Sequence, residues 1–325
     1  MSSAYLPETK LDLFSVPIFS RTTIGTAIFR SAAFFLAGVV FLIVAYVLSE
    51  GWRGLTPGFI FTRAGGSNGE GMFDPEHSGV FDMVVGTVLL VFLMTILVMP
   101  VGIITGIFLN EFADSRSWTS RIIRSSINNL AGVPSIIFGL FGLGLFVLTI
   151  GGGIDAYILQ TKNPVWGKPS LIWAALTLAV LTLPVVVVST EQALRAVPTS
   201  IRDAALGMGA TKLQTLWKIV LPQASAGILT GGILAVSRGA GEVAPIMFTG
   251  AVYYMKNLPQ GLTDPFMELG YHVYNMATQS INIDQVRPLL FSTVTTLLLL
   301  TFLLNAVAIF ARARVRRRLQ NLQHD

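Results

Sequence analysis

Two residues of opposite charge, Arg238 and Glu242, lie in the fifth of six long apolar stretches. A charged side chain in the centre of a bilayer is costly, so both residues need an explanation. If the stretch is helical, residues four positions apart share a face, and the pair can neutralise itself and fix helix packing. Alternatively, the planar guanidinium of Arg238 donates to an oxyanion crossing the membrane, while Glu242 holds the guanidinium and limits how tightly the anion is retained.

Three more polar residues are candidates to line a path for such an anion across the membrane. Ser237 directly precedes Arg238, and Asn128 and Asn129 stand at the start of the third apolar stretch. A hydroxyl and two amides there would offer hydrogen bonds to an anion, the asparagines at the inner mouth of a path. Helix capping or hydrogen bonds between helices would explain the asparagines equally well.

Glycines within the stretches favour close contacts between helices. Gly239 and Gly241, beside the charged pair, would let backbone N–H groups approach an anion, but glycine in a spanning helix more often serves packing. The packing interpretation also applies to two pairs at four-residue spacing, Gly102 with Gly106 and Gly227 with Gly231.

Other chemistry finds no support in the residue types. Cysteine is absent, which excludes disulfides, thiolate nucleophiles and iron–sulfur clusters. The three histidines are far apart in sequence, so no metal site is expected. The one Gly-Lys pair, Gly167-Lys168, has Lys162 where a P-loop needs its first glycine and Pro169 where it needs Ser or Thr. No ATP site and no other cofactor are therefore expected in this chain.

Composition indicates an integral membrane protein. Of the 325 residues, 53% are hydrophobic and only 12% are charged, against roughly 25% charged in soluble domains. Six apolar stretches are long enough to span a bilayer as helices, and they cover residues 25–48, 83–109, 126–150, 170–189, 224–249 and 288–310. Pro100, Pro134 and Pro184 would kink their spans. We predict an all-α membrane protein with six transmembrane helices.

The distribution of positive charge predicts the topology. Most Lys and Arg residues fall in the N-terminal segment, the second-to-third and fourth-to-fifth connections, and the C-terminal tail, which places these parts and both termini in the cytoplasm. We therefore expect a cytoplasmic segment 1–24, a six-helix transmembrane domain 25–310 and a basic cytoplasmic tail 311–325. The tail suits anionic lipid head groups, so the net charge of +5 does not imply a nucleic-acid partner.

The two longer outer connections are polar. Turn signals fill the connection 50–82, where residues 59–61 are expected to form one short strand. The connection 251–287 mixes aromatic and polar residues, as is typical of a membrane interface.

The inner connection 190–222 carries its own helix signals. Ser200 and Asp203 have the Ser-x-x-Asp spacing of a helix start, and Gly207 and Gly209 would end that helix. Thr211 and Gln214 form a second capping box, and Pro222 predicts a break before the next span. The expected element is a helix, a glycine turn and a second helix. Either a helix-turn-helix for DNA or a docking helix for an intracellular partner would have this form, but the tether to two membrane spans disfavours DNA.

The spacing of this loop resembles the EAA coupling loop of type I ABC importer permeases. That motif reads Glu-Ala-Ala, three residues, Gly, nine residues, Ile-x-Leu-Pro, and the matching positions here are Asp203, Ala204, Ala205, Gly209, Ile219, Leu221 and Pro222. Asp203 in place of Glu is the one departure. The resemblance implies that residues 200–209, including Arg202, insert into a groove on an ATP-binding subunit.

Further segments narrow the resemblance to phosphate importer permeases. Residues 128–142 and 191–198 are similar to signatures of that family, and residues 238–245 and 274–277 are similar to its A-type subunit (PstA). The similarity covers about residues 78–320. It implies a permease for inorganic phosphate in the cytoplasmic (inner) membrane, paired with a C-type permease subunit, two ATP-binding subunits that hold ATP and Mg²⁺, and an extracytoplasmic phosphate-binding protein.

Three alternatives remain at this point. The chain could be the permease of another oxyanion, such as sulfate or molybdate, or it could be the C-type subunit. A different class is a membrane scaffold or sensor that uses the loop only to bind proteins.

Overall fold

The computed structural model describes residues 23–65, 78–114, 116–280 and 282–321. Within these ranges the chain is helical, and the extended pairing is limited to an isolated bridge between Ala251 and Phe266. The helices are α1 (Thr23–Gly51), α2 (Pro57–Phe61), α3 (Phe81–Ile107), α4 (Trp118–Ala131), α5 (Ser135–Phe141), α6 (Leu171–Arg195), α7 (Thr199–Gly207), α8 (Lys212–Thr215), α9 (Leu221–Gly239), α10 (Ile246–Thr249), α11 (Leu269–Gln279) and α12 (Ile283–Asn321).

Several helices continue through wider π-helical turns. Such turns extend α3 to Phe112, extend α5 to Leu159 and join α8 to α9. With these extensions, six helical stretches of the described chain are long and apolar enough to cross a membrane, which confirms the predicted all-α class with six spans. Their bounds are Thr26–Gly54, Phe81–Phe112, Ser135–Leu159, Leu171–Arg195, Lys212–Gly239 and Ile283–Arg317.

The chain divides into two compact units, residues 1–49 and 50–325. Among the described residues of the first unit, α1 is the helical element, and its apolar side chains are exposed, including Phe29 at 78% and Phe34 at 78%. An apolar helix of this length with exposed side chains is suited to contact with lipid.

In the second unit, α6 is the central helix. It packs against α3 on one side and α9 on another, and α12 packs on α9. The core between these helices consists mainly of aliphatic side chains and Met, among them Leu90, Met94, Leu178, Val186 and Ala235. Because lipid is as apolar as these side chains, close van der Waals packing is the main stabilising contribution.

Small residues allow that close packing. A Cβ atom on Gly102 would lie 2.6 Å from Cγ1 of Val186, and one on Gly231 would lie 2.6 Å from Cβ of Ser189. Gly106 and Gly227 meet α6 in the same way. Both predicted glycine pairs are therefore confirmed as contact surfaces, the first for α3 on α6 and the second for α9 on α6.

We expect Gly106→Leu to destabilise the bundle. A Cβ there would lie 2.7 Å from Cβ of Thr190 and 3.1 Å from the carbonyl oxygen of Val187, and forced overpacking costs about 1–3 kcal/mol. Gly144→Leu is the control, since a Cβ at Gly144 has no neighbour within 4 Å. Thermal unfolding in detergent should show a lower midpoint for the first variant only. Equal midpoints for both variants would contradict this account of the packing.

The predicted strand at 59–61 is wrong, because these residues belong to helix α2. Thr56 caps that helix, with its Oγ1 accepting a hydrogen bond from the backbone N–H of Phe59 at 3.1 Å, and Pro57 occupies the first turn. A Thr-Pro helix start has therefore prevailed over the β propensity of the aromatic and branched residues.

The predicted third span, 126–150, begins too early. Residues up to Ala131 belong to α4, an amphipathic helix, and Pro134 separates it from the membrane-spanning helix that starts at Ser135. Helical geometry is disfavoured for the residue before a proline. Pro134 therefore separates two helices and does not kink a continuous one. Pro100 and Pro184 lie inside α3 and α6, respectively.

The fifth span also differs from prediction. It runs from Lys212 to Gly239 without a break at Pro222, which sits in the first turn of α9 directly after the π-helical turn Leu216–Val220. The wider turn before the proline accommodates its ring and its missing N–H. At the C-terminal end, α12 runs on to Asn321, so most of the predicted basic tail is helical.

Candidate functional site

The predicted coupling element is present as helix α7, a turn and helix α8. Helix α7 begins at Thr199 after Pro198, and no side chain caps it. The predicted capping role of Ser200 is therefore wrong, because Ser200 lies one residue inside a helix whose start the proline fixes. The second capping box is confirmed, since Thr211 accepts from the N–H of Gln214 and Gln214 accepts from the N–H of Thr211.

Gly209 makes the turn between the two helices. Its φ is +86°, a conformation in which an L side chain is strained, and its N–H donates to the carbonyl of Leu206 at 3.0 Å. Gly207, which was also predicted to end the helix, is instead the last helical residue and lies outside the left-handed region. One glycine at the turn is sufficient.

The coupling element has a buried side and an exposed side. Ala205 is 8% exposed, and Leu216 and Val220 pack with Leu194 in a small apolar core. Leu221 packs against that core, and Ile219 and Pro222 are half-buried nearby in sequence. These residues hold the element to its own chain.

Large apolar side chains cover the exposed side. They are Leu206 at 47%, Met208 at 88%, Leu213 at 56% and Trp217 at 64% exposure. Asp203 and Ala204 are exposed as well. Exposed apolar side chains on a short, firmly anchored element of two helices and a turn are typical of a surface that binds a protein partner.

Arg202 anchors the helix to the end of α3. Its Nη1 donates to both carboxylate oxygens of Glu111, at 2.7 and 2.8 Å, and its Nη2 donates to the carbonyl oxygen of Leu194 at 2.7 Å. Lys212 donates to the carbonyl oxygen of Glu111 at 2.6 Å. Glu111 was not predicted as a functional residue, because no local sequence pattern pairs it with Arg202, 91 positions away.

The charged pair in the bundle is formed, but not on a helix face. Helix α9 ends at Gly239, and turn hydrogen bonds lead the backbone to Glu242, so the predicted shared face is wrong. Arg238 Nε lies 3.5 Å from Glu242 Oε1, and the side chains are 40% and 21% exposed. Among the described residues Arg238 has no closer polar contact, which leaves most of its N–H donors available.

The contacts of its neighbours place Arg238 at the middle depth of the bundle. Gly239 packs against the side chain of Met94, near the middle of α3. Ser237 Oγ accepts a hydrogen bond from Asn305 Nδ2 at 3.3 Å, and Asn305 lies in the middle of α12. Gly239 is thus a packing residue, whereas a Cβ on Gly241 would meet nothing closer than 4.0 Å.

Asn305 was not predicted as a functional residue either. Its Nδ2 contacts Ser237, and its Oδ1 is buried without a hydrogen-bond partner among the described residues. The available signal was a single amide within a long apolar stretch, where polar side chains are costly.

Asn128 and Asn129 do not join this group. They lie in the last turn of α4, and Asn128 lines a small cavity with Leu109 near the end of α3. Leu109 is ~15 residues beyond Met94, which corresponds to about 22 Å along a helix. The five predicted path residues therefore occupy two levels, three at mid-depth and the asparagines at the coupling end.

The opposite end of the bundle buries two titratable groups. Glu268 caps α11, accepts from the N–H of Tyr271 at 2.6 Å and lies 3.4 Å from Thr87 Oγ1. Burial raises its pKa to about 7, and hydrogen bonds from Gly270, Tyr271 and Thr87 oppose the increase. Burial lowers the pKa of His272 to about 4.

These two groups give opposing pH dependences of stability. With a pKa raised from 4.5 to about 7, folded Glu268 binds its proton more tightly than the unfolded chain does, so its contribution falls as pH rises through that interval. With a pKa lowered from 6.5 to about 4, His272 contributes stability that rises with pH. In Glu268→Gln only His272 of this pair still titrates, so we expect stability to rise with pH. In His272→Gln only Glu268 of the pair still titrates, so we expect stability to fall with pH. Each slope is at most ~1.4 kcal/mol per pH unit.

Thermal midpoints in detergent from pH 4.5 to 7.5 measure these trends. Parent protein, in which the trends offset each other, should show the weakest dependence. If the midpoints of both variants change with pH as those of the parent do, then Glu268 and His272 do not cause the pH dependence.

Six helices that can span a membrane and an anchored loop with an exposed apolar face define a multi-pass membrane protein with a surface suited to a protein partner. Residues 99–321 match the family model described as "Binding-protein-dependent transport system inner membrane component". The chain belongs to this family, and it is a permease subunit of an ABC importer in the inner membrane.

Relatives with assigned names support the resemblance to phosphate importer permeases. The phosphate transport system permease protein PstA 1 of Mycobacterium tuberculosis (strain CDC 1551 / Oshkosh) is 31% identical over 256 residues, which cover 74% of this chain and 77% of that protein. The phosphate transport system permease protein PstC of Pasteurella multocida (strain Pm70) is 30% identical over 264 residues, which cover 76% of this chain and 80% of that protein.

A solved structure shows the same fold. The similarity to a chain of a bacterial alginate ABC transporter, in complex with its pentasaccharide-bound periplasmic protein, has a TM-score of 0.58. It covers 90% of this chain and 96% of that chain at 12% identity. The predicted fold of type I ABC importer permeases is thereby confirmed.

Proposed function

We propose that this chain is the A-type permease subunit of a phosphate importer and that Arg238 is part of its anion path. The observation that carries the proposal is the incomplete pairing of Arg238 at mid-depth of the bundle. Its distance of 3.5 Å from Glu242 contrasts with the contacts of Arg202, which are 2.7 to 2.8 Å long. A guanidinium remains charged at every physiological pH and matches the geometry of phosphate oxygens.

The neighbours of Arg238 fit this role. Glu242 offsets the cost of the positive charge in the bundle and keeps the site from retaining an anion too strongly. Ser237 and Asn305 add neutral hydrogen-bonding groups beside the guanidinium. Asn128 and Asn129, at the other level, would meet the anion where it leaves the path.

Two observations favour phosphate and the A-type subunit. Relatives named for phosphate transport match most of the chain. The segment Arg238–Pro245 and the Tyr274-Asn275 pair resemble the A-type subunit. Because relatives named PstA and PstC match at nearly the same identity, the choice of subunit depends on these local segments.

The coupling element supplies the link to ATP. We propose that residues 199–222 dock, through their exposed apolar side chains, on one of two ATP-binding subunits, which hold ATP and Mg²⁺ and perform the hydrolysis. In this proposal the coupling end of the bundle and both termini lie in the cytoplasm, which the basic residues near the end of α12 support. A C-type permease would complete the path, and a phosphate-binding protein would deliver the anion at the opposite end.

In this mechanism, ATP binding closes the ATPase dimer and carries α7 with it. The bundle then exchanges access from one side of the membrane to the other by rigid-body motion around a site near the midplane. Alternating exposure of Arg238 would attract phosphate from one side and release it to the other.

Complementation tests the proposed substrate. The chain is expressed with its partner subunits in bacteria that lack their own high-affinity phosphate permease, and growth is measured at limiting phosphate. We expect growth to be restored and uptake of labelled phosphate to exceed that of labelled sulfate. Restored growth on limiting sulfate or molybdate, without phosphate uptake, would assign the chain to another oxyanion, and no uptake of any anion would favour the scaffold alternative.

A further inference from the structure

Arg202 binds a carboxylate at the end of α3 and a backbone carbonyl at the end of α6. A second arginine, Arg124, binds a carboxylate of α6 and a carbonyl at the end of α3. Arg124 of α4 donates through Nη1 to both carboxylate oxygens of Glu191, at 2.9 and 2.8 Å. Its Nη2 donates to the carbonyl oxygen of Leu109 at 2.7 Å. Each arginine thus binds one carboxylate with one nitrogen and one helix-end carbonyl with another.

The two arginines cross-connect the same two helix ends. The end of α3 supplies the carboxylate of Glu111 to Arg202 and the carbonyl of Leu109 to Arg124. The end of α6 supplies the carboxylate of Glu191 to Arg124 and the carbonyl of Leu194 to Arg202. Carbonyls in the last turn of a helix are short of partners and carry the negative end of its dipole, so a cation binds them well.

The ion pairs of Arg202 and Arg124 are largely shielded from water, which strengthens them. The side chains of Glu111 and Glu191 are 9% and 12% exposed, and those of Arg202 and Arg124 are 19% and 32% exposed. Arg195 provides the contrast, since it lies 3.5 Å from the same Glu191 but is 61% exposed. Exposed pairs of that kind contribute little.

We propose that Arg124 and Arg202 form a reciprocal clamp that makes α3, α4, α6 and α7 move as one body. This inference rests on the proposed function, in which a partner displaces α7. The backbone links α7 directly to α6 and, through α8, to the fifth span, so a displacement of α7 reaches the ends of α3 and α4 only through non-covalent contacts. The clamp supplies those contacts, so that α7 does not slide over the bundle when it is pulled.

Thiol-specific spin labels test the clamp directly. The chain contains no cysteine, so Thr199→Cys in α7 and Ser126→Cys in α4 give one pair of labelled sites in the assembled transporter. We expect a narrow distance distribution that is the same without nucleotide and with ATP bound. Arg202→Gln should broaden that distribution, whereas Arg195→Gln should leave it unchanged.

A change of more than a few ångströms between the two nucleotide states of the parent would overturn the clamp, since α7 would then move relative to α4. The label distances do not depend on the transported anion. A failure of phosphate uptake with unchanged distances would therefore reject the proposed substrate and leave the clamp intact.

Coupling efficiency is the second readout. Arg202→Gln and Arg124→Gln complexes should still contain the ATPase subunits and hydrolyse ATP, but the ATP hydrolysed per anion imported should rise at least tenfold. Arg195→Gln should stay within twofold of the parent. Where a Gln variant fails to fold, Arg202→Lys serves, because one ammonium keeps the charge but cannot reproduce the planar fork. An unchanged ratio in the folded clamp variants would contradict the proposal.

Discussion

Leu206→Glu should weaken binding of the chain to its ATPase partner roughly 30-fold while leaving the permease folded. Leu206 is 47% exposed on α7, so its substitution creates no cavity or buried charge in its own chain. In the complex, a carboxylate would replace an apolar anchor inside the partner's groove. Loss of an interface anchor typically costs about 2 kcal/mol or more, which corresponds to roughly 30-fold weaker association.

Association of the detergent-purified chain with its ATPase subunits measures this effect. Ser126→Glu is the matched control, because it places a carboxylate on an exposed position of α4 at the same end of the bundle. Gly209→Val should also weaken association, through the strain of a branched side chain at a φ of +86°. Association of Leu206→Glu at the parent's level would remove α7 from the docking surface.

Arg238→Gln should reduce phosphate uptake at least tenfold and leave ATPase docking unchanged. The substitution removes the positive charge and the fork of donors but retains a polar, though shorter, side chain. Arg238→Lys should recover part of the uptake, because the charge attracts the anion but a single ammonium does not match two phosphate oxygens at once.

A double variant separates this role from a structural one. If Arg238 and Glu242 only neutralise each other and fix the packing, then Arg238→Gln leaves an uncompensated carboxylate, and Arg238→Gln with Glu242→Gln restores both folding and uptake. If Arg238 binds the anion, the double variant folds but still fails to import phosphate. Thermal midpoints and uptake, measured on the same preparations, distinguish the two outcomes.

Features set by local sequence were predicted well. The six spans follow from the length of the apolar stretches, and the capping box of Thr211 and Gln214 follows from a spacing of three residues. Gly209 at the turn and the glycine pairs on α3 and α9 also follow from short-range rules, because left-handed backbone and close helix contacts both favour glycine.

Features set by tertiary contacts were not predicted. The continuation of the fifth span through Pro222 depends on a π-helical turn that no simple pattern indicates. The separation of Asn128 from Arg238 depends on where α4 ends and packs. The roles of Glu111 and Asn305 depend on the fold, which brings them into contact with Arg202 and Ser237, 91 and 68 residues away.

Phosphate uptake by purified components would show whether this chain forms part of the anion path. Proteoliposomes that contain this chain, its permease partner and the ATPase subunits are loaded with ATP and supplied with the binding protein and labelled phosphate, and liposomes without this chain serve as the control. We expect phosphate uptake that requires both ATP and this chain and that excess sulfate does not suppress. Uptake that is equally strong for sulfate, or that persists without this chain, would contradict the claim that it forms the phosphate path.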